Sequence, residues 1–156
     1  HMVKIEGGAP QLDTVRHLTA RAVPVCGHLG LMPQSIHQLG AYRVQGRGEH
    51  AAERILKDAV GLEDAGAQML VLECVPALLA EEITRALDIP VIGIGAGGQT
   101  DGQVLVLYDM LGVTMQSTPS FVHDFLADAG NVQGALAAYV RAVKDGSFPA
   151  SEHTLA

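Results

Sequence analysis

Short apolar runs alternate with amphipathic ones along most of this chain. "VKIE" (Val3 to Glu6) reads as a strand and ends at the breaker "GGAP". "QLDTVRHLTARA" follows, with Leu12, Val15, Leu18 and Thr19 at helical spacing. "VPVCGHLG" is a second strand, and a long polar connection, "LMPQSIHQLGAYRVQGRG", comes after it. "EHAAERILKDAVGLEDAGA" reads as a helix with Ile55, Leu56, Ala59 and Leu62 on one face. "QMLVLECV" is a third strand. "PALLAEEITRALD" is a helix with Pro76 in the first-turn position that suits proline. "IPVIGIGAG" is a strand that enters a glycine turn, and "GQVLVLYDMLGV" begins as a strand and finishes as a helical turn. "SFVHDFLADAG" and "VQGALAAYVRAVKDG" read as two closing helices, and the tail "SFPASEHTLA" reads as loose.

Near-continuous apolar strands separated by helices predict an α/β fold, with a parallel sheet covered on both faces. Both a doubly wound sheet and a (β/α)₈ barrel satisfy that pattern. A complete barrel takes about 250 residues. With 156 residues and five predicted strands, a barrel reading makes this chain the later part of one.

Composition narrows the function. Apolar residues make up 48% of the chain and charged residues only 17%, which argues for a packed domain and against disorder. The formal net charge is −7 and Lys and Arg form no run, so nucleic acid is not an expected partner. No apolar run approaches the roughly 20 residues that span a bilayer, and there is no charged-then-apolar leader. His1-Met2 reads as a remnant of an expression vector. Cys26 and Cys74 lack metal-type spacing and sit inside apolar runs, so a reducing, cytoplasmic setting is expected.

Candidate chemistry gathers at strand ends, because parallel α/β folds collect functional groups at the C-terminal rim of the sheet. The first strand brings Lys4 and Glu6, which share a face through the period of two. They read either as a cationic clamp with a hard-metal ligand or as an ordinary strand-end ion pair. The second strand brings His28, either a donor to substrate or a structural histidine bonded to a backbone carbonyl. The third ends in Glu73, within "MLVLECVP". It reads as a general base raised by apolar walls, or as a carboxylate paired with Lys4 or a neighbouring helix. The functional reading is preferred, because burying an unused charge costs several kcal/mol (about that order). "GIGAGG" lacks the G-x-G-x-x-G form, so it serves either close backbone approach to an anion or tight packing, not dinucleotide binding. "QGRG" is a lid element or a solvated loop.

Taken in order, "VKIEGG", "VPVCGHLGLMPQS", "YRVQGRG", "GAQMLVLECVP", "IPVIGIGAGGQTDGQVLVLYDMLG" and "FVHDF" resemble the ketopantoate hydroxymethyltransferase family over nearly the whole chain. The resemblance implies a (β/α)₈ TIM barrel of the phosphoenolpyruvate/pyruvate superfamily, with residues 3–148 as a partial catalytic barrel and 149–156 as a loose tail. It implies transfer of a one-carbon unit from 5,10-methylenetetrahydrofolate to 3-methyl-2-oxobutanoate, giving 2-dehydropantoate in pantothenate biosynthesis, with Mg²⁺ as metal. On this resemblance Glu73 is the proton acceptor, Lys4 binds the ketoacid, Glu6 belongs to the metal site, and His28 lines the substrate pocket. Family members continue upstream of "VKIEGG" for roughly three more β/α units, as barrel arithmetic requires. Two aspartates in those units are the principal metal ligands, so this piece alone is expected to be inactive. Its open sheet edges favour a homo-oligomer. The competing readings are a Mg²⁺-dependent lyase or mutase of the phosphoenolpyruvate mutase or isocitrate lyase kind, which should carry a cysteine-bearing catalytic loop, and a non-catalytic anion-binding half-barrel.

Overall fold

A computed structural model describes residues 1–35, 43–115 and 118–155. Five strands form one sheet: β1 (Val3–Glu6), β2 (Val25–Gly30), β3 (Met69–Glu73), β4 (Val91–Ile94) and β5 (Gly102–Gln103). Every pairing is parallel and the order is β1-β2-β3-β4-β5. A doubly wound sheet reverses its strand order at a switch point. This one advances in a single direction, as the wall of a (β/α)₈ barrel does. The fold is therefore α/β and consistent with part of such a barrel.

The helices are α1 (Leu12–Thr19), α2 (Glu49–Asp64), α3 (Ala77–Ala86), α4 (Leu107–Met110), α5 (Phe125–Ala129) and α6 (Val132–Asp145). One face of the sheet presents Val25, Leu29, Leu70, Leu72 and Val91 to Val15, Ile55, Ala59, Leu62, Leu79 and Ile83 of α1 to α3. The period of two turns the alternate residues to the other face, which leaves Lys4, Glu6, His28 and Glu73 together there. A second cluster, with Leu31, Cys74, Ile94, Phe121, Phe125 and Phe148, covers part of that second face near Val71 and the strand ends.

Three expected elements differ. The last apolar run does not continue as a strand: pairing ends with Val104 N–H donating to Gly93 O, because β4 stops at Ile94 and turns at Gly95 (φ +60°). Helix α5 starts at Phe125 rather than near Ser120, since Asp124 acts as its N-cap and accepts from Leu126 N–H (2.9 Å) and Ala127 N–H (3.1 Å). Pro76 is the N-cap of α3 instead of its first residue, a shift of one position.

The closing segment, expected to be loose, is docked. Phe148 is buried with its ring 5.5 Å from that of Phe125 and 5.1 Å from that of His153. Residues Ser151–His153 form a 3₁₀ turn, and Leu155 joins the second cluster while its carbonyl accepts Ala77 N–H at 3.3 Å. Two apolar anchors, Phe148 and Leu155, outweigh the polar residues between them.

Candidate functional site

The register of β1, β2 and β3 builds the site. Glu6 pairs with His28, and Glu73 pairs with Gly30, two residues further along β2. Gly30 offers no side chain on that row. The result is one chain of polar contacts across three strands. Lys4 Nζ lies 3.2 Å from His28 Nδ1 and 3.6 Å from Glu6 Oε1. His28 Nδ1 is 3.8 Å from Glu6 Oε1, and His28 Nε2 is 3.2 Å from Glu73 Oε2. All four residues singled out from the sequence thus meet on one face.

Burial gives the cluster its character. His28 is buried, the side chains of Glu6 and Glu73 are 13% and 14% exposed, and that of Lys4 is 49% exposed. The ordinary alternatives are met only in part. Lys4 does face Glu6, but His28 binds no backbone carbonyl and the near partner of Glu73 is His28. Two buried atoms of this cluster, Glu6 Oε2 and His28 Nε2, lack a hydrogen bond among the described residues. The 3.2 Å approach of His28 Nε2 to Glu73 is close enough but not aligned as a bond. An unsatisfied buried polar atom costs about 1–3 kcal/mol, so two of them in one cluster mark a place that a ligand would complete.

The backbone around Glu73 is fixed tightly. Its carbonyl accepts Leu31 N–H at 2.8 Å. The next residue, Cys74, has φ +49°, a left-handed conformation uncommon for any residue but glycine. Cys74 N–H donates to Ile94 O (2.9 Å) and its carbonyl accepts Gln45 N–H (2.8 Å). Those bonds hold the strained residue and aim Glu73 at β2. No sequence signal marks Cys74 for this role.

Burial pushes the Cys74 thiol up to about 12, and the Glu73 carboxylate adds to the rise. Cys26, on the same face as Lys4, is also raised by burial, although the Lys4 ammonium opposes it. A raised thiol favours the fold below its ordinary value of 9.0 and loses that contribution as pH climbs towards about 12. Both free thiols are therefore expected to resist a disulfide reagent at pH 8 in the native chain and to react fully in denaturant. Fast native labelling of either would contradict this.

The glycine turn after β4 is filled by packing. A Cβ on Gly95 would sit 2.7 Å from the Phe121 ring, and one on Gly97 would sit 2.6 Å from Ala77 Cβ. Of the two uses foreseen for "GIGAGG", tight packing is the one seen. Gln45, Gly46 and Arg47 of "QGRG" line a cavity of about 420 Å³ beside the ends of β1 and β2, together with Gly8, Gly30 and Arg54. Residues 36–42 of the long connection lie outside the described residues.

A hard divalent cation needs several oxygen ligands. Here Glu6 Oε2 is one orphaned oxygen, and an ammonium stands 3.6 Å from its twin. Among the described residues no group of three or more His, Cys, Asp or Glu could hold a metal ion. The described residues do not make a complete Mg²⁺ site.

Comparison with known proteins follows the same line. A family model described as ketopantoate hydroxymethyltransferase matches residues 1–151. The 3-methyl-2-oxobutanoate hydroxymethyltransferase of Edwardsiella ictaluri is 60% identical over 154 residues, which is 99% of this chain and 58% of that protein. The protein of the same name from Sodalis glossinidius is also 60% identical, over 99% of this chain and 59% of its own length. The one from Vibrio parahaemolyticus is 55% identical over 156 residues, 100% of this chain and 59% of its length. The chain thus spans less than two thirds of the curated relatives that it matches.

Proposed function

Because this chain belongs to the ketopantoate hydroxymethyltransferase family, we propose that residues 3–148 are the proton-abstracting and acid-binding part of an enzyme acting on 3-methyl-2-oxobutanoate. The enzyme moves a hydroxymethyl group from 5,10-methylenetetrahydrofolate to that ketoacid and releases 2-dehydropantoate. The observation that carries this reading is the linked row Lys4, Glu6, His28 and Glu73, with two partly buried carboxylates on either side of one buried imidazole.

The reaction needs a carbanion equivalent at C3 of the ketoacid. Glu73 is nearly buried, so water competes little for its carboxylate. It takes the C3 proton, and the electron pair moves onto the C2 oxygen to give the enolate. Lys4, half exposed at the rim, pairs with the carboxylate of the acid and sets its orientation. Water opens both C–N bonds of the methylene bridge of the co-substrate, releasing tetrahydrofolate and a formaldehyde equivalent; the enolate carbon bonds to that carbon, and its oxygen takes up a proton to become the new hydroxyl. Mg²⁺ belongs to this reading as a Lewis acid for the keto oxygen. Among the described residues Glu6 is the group that would hold it, and the reading assigns the other ligands to the part of the relatives that this chain does not cover. The family match removes the ground for the lyase or mutase reading.

Localisation and assembly belong to the same proposal. Among the described residues no helix is long and apolar enough to cross a membrane. Two free buried thiols support a cytoplasmic site. Val3 is exposed on the β1 edge, Val104 is exposed just after β5, and Val106, Leu107 and Tyr108 are exposed in the segment that runs from there into α4. Unpaired edges with apolar side chains favour association, so the isolated chain is expected to form a homo-oligomer by light scattering. A monomer across a hundredfold concentration range would contradict that.

The test uses two proteins. One is this chain alone. The other adds to it the part of the Edwardsiella ictaluri relative that it does not match. In heavy water without folate, the joined protein is expected to exchange deuterium into C3 of 3-methyl-2-oxobutanoate, and with folate and Mg²⁺ to form 2-dehydropantoate. The chain alone is expected to do neither. Absence of both reactions in the folded joined protein would overturn the function, and turnover by the chain alone would overturn its inactivity.

A further inference from the structure

We propose that Lys4 fixes the position of the imidazole proton of His28, and that His28 is thereby a positioning residue for Glu73. The inference rests on the proposed role of Glu73, but its geometry stands apart from that role.

An ammonium has three donors and no acceptor. Lys4 Nζ is 3.2 Å from His28 Nδ1, so Nδ1 must present its lone pair. A neutral ring then carries its single proton on Nε2. Nε2 is buried, without a hydrogen bond, and 3.2 Å from Glu73 Oε2. The opposite tautomer would aim Nδ1–H at Glu6 Oε1, which is further away at 3.8 Å and already faces the same ammonium. That tautomer would also set Nε2 as a second lone pair against the Glu73 carboxylate. Lys4 therefore decides which nitrogen donates, and the acceptor that stands near that donor is Glu73 Oε2, 3.2 Å away but off the line of a hydrogen bond.

The consequence is a division of labour between the two oxygens of Glu73. With Nε2–H turned onto Oε2, a bond that the 3.2 Å spacing allows, the carboxylate would be pinned and Oε1 would be left to receive a proton from substrate. His28 is too buried to be reached from solvent, so it acts through Glu73.

The test is spectroscopic and needs no turnover. Long-range proton–nitrogen correlation spectra of the ¹⁵N-histidine-labelled chain at pH 8 report the tautomer of each ring. His28 is expected as the Nε2–H form in the wild type and in Glu6→Gln. In Lys4→Met it is expected to lose that single form, with Nδ1–H appearing. In Glu73→Ala the Nε2–H proton is expected to shift and to exchange faster with water. An Nδ1–H ring in the wild type would overturn the proposal, even if Lys4→Met failed to fold. An unchanged ring in folded Lys4→Met would also overturn the part played by Lys4. An unmoved Nε2–H signal in Glu73→Ala would overturn the positioning of Glu73. If the ring behaves as expected while the joined protein exchanges no C3 deuterium, the functional reading falls and the tautomer assignment stands.

Discussion

Replacing Glu73 with Gln in the joined protein is expected to slow deuterium exchange at C3 of 3-methyl-2-oxobutanoate by about 10²- to 10⁴-fold, the usual worth of a positioned general base. The amide has nearly the same shape and keeps an oxygen that His28 Nε2 can face across the present 3.2 Å. It cannot accept the proton. Binding of the ketoacid should change little, because the proposed function gives that role to Lys4 at the rim, whose ammonium faces His28 and Glu6. The expected signature is a loss in kcat with KM nearly constant, read by proton NMR of the substrate. Exchange within about threefold of the wild type would assign the base to another group, given the tenfold per 1.4 kcal/mol scale of rate effects.

Gly30→Ala is expected to be the most damaging small substitution in the sheet. Gly30 has φ +91°, and a Cβ there would lie 2.1 Å from the Glu73 carbonyl oxygen and 2.9 Å from Val75 Cγ1. The clash falls between β2 and β3, at the point where Leu31 N–H bonds to that same carbonyl. Backbone strain of this kind costs about 1–3 kcal/mol. Overpacking against backbone adds a further loss of about 1–3 kcal/mol. Set against a total stability of about 5–15 kcal/mol, the sum is large enough to move the urea midpoint far down or to prevent folding. Gly48→Ala is the control: Gly48 has φ +85° but a Cβ there meets nothing within 4 Å, so only the strain should appear. Equal losses at the two positions would refute the collision.

Much of the fold was legible because its elements obey strong local rules. β1 to β4 stand out as apolar runs, and α2 shows the spacing of Ile55, Ala59 and Leu62, all buried as the periodicity requires. The choice between a doubly wound sheet and a barrel wall was not legible, since strand order is a property of pairing and not of any run of residues. Asp124 was a missed start signal. It is a strong capping residue placed inside an amphipathic stretch, and the cap prevailed over the apolar pattern. The last strand was overread because Val104 and Val106 have strand propensity but no neighbour on their outer side. That Lys4, Glu6, His28 and Glu73 gather on one face was legible from their places in the strands. The wiring of the site was not: the contact of Lys4 with His28 depends on the β1-to-β2 register, and the turn at Cys74 depends on a left-handed backbone that cysteine does not advertise.

The two apolar clusters draw on different stretches of chain. The first is built from residues between Ile5 and Ala96, whereas the second reaches from Leu31 to Leu155. During synthesis, which proceeds from the N-terminus, the first can therefore close while the ribosome is still adding residues. The second waits for Phe148 and Leu155 to emerge. In that interval the ends of β3 and β4, with Cys74 and Ile94, stand uncovered, so this is the moment at which a nascent chain would be most exposed to chaperones and to its own neighbours.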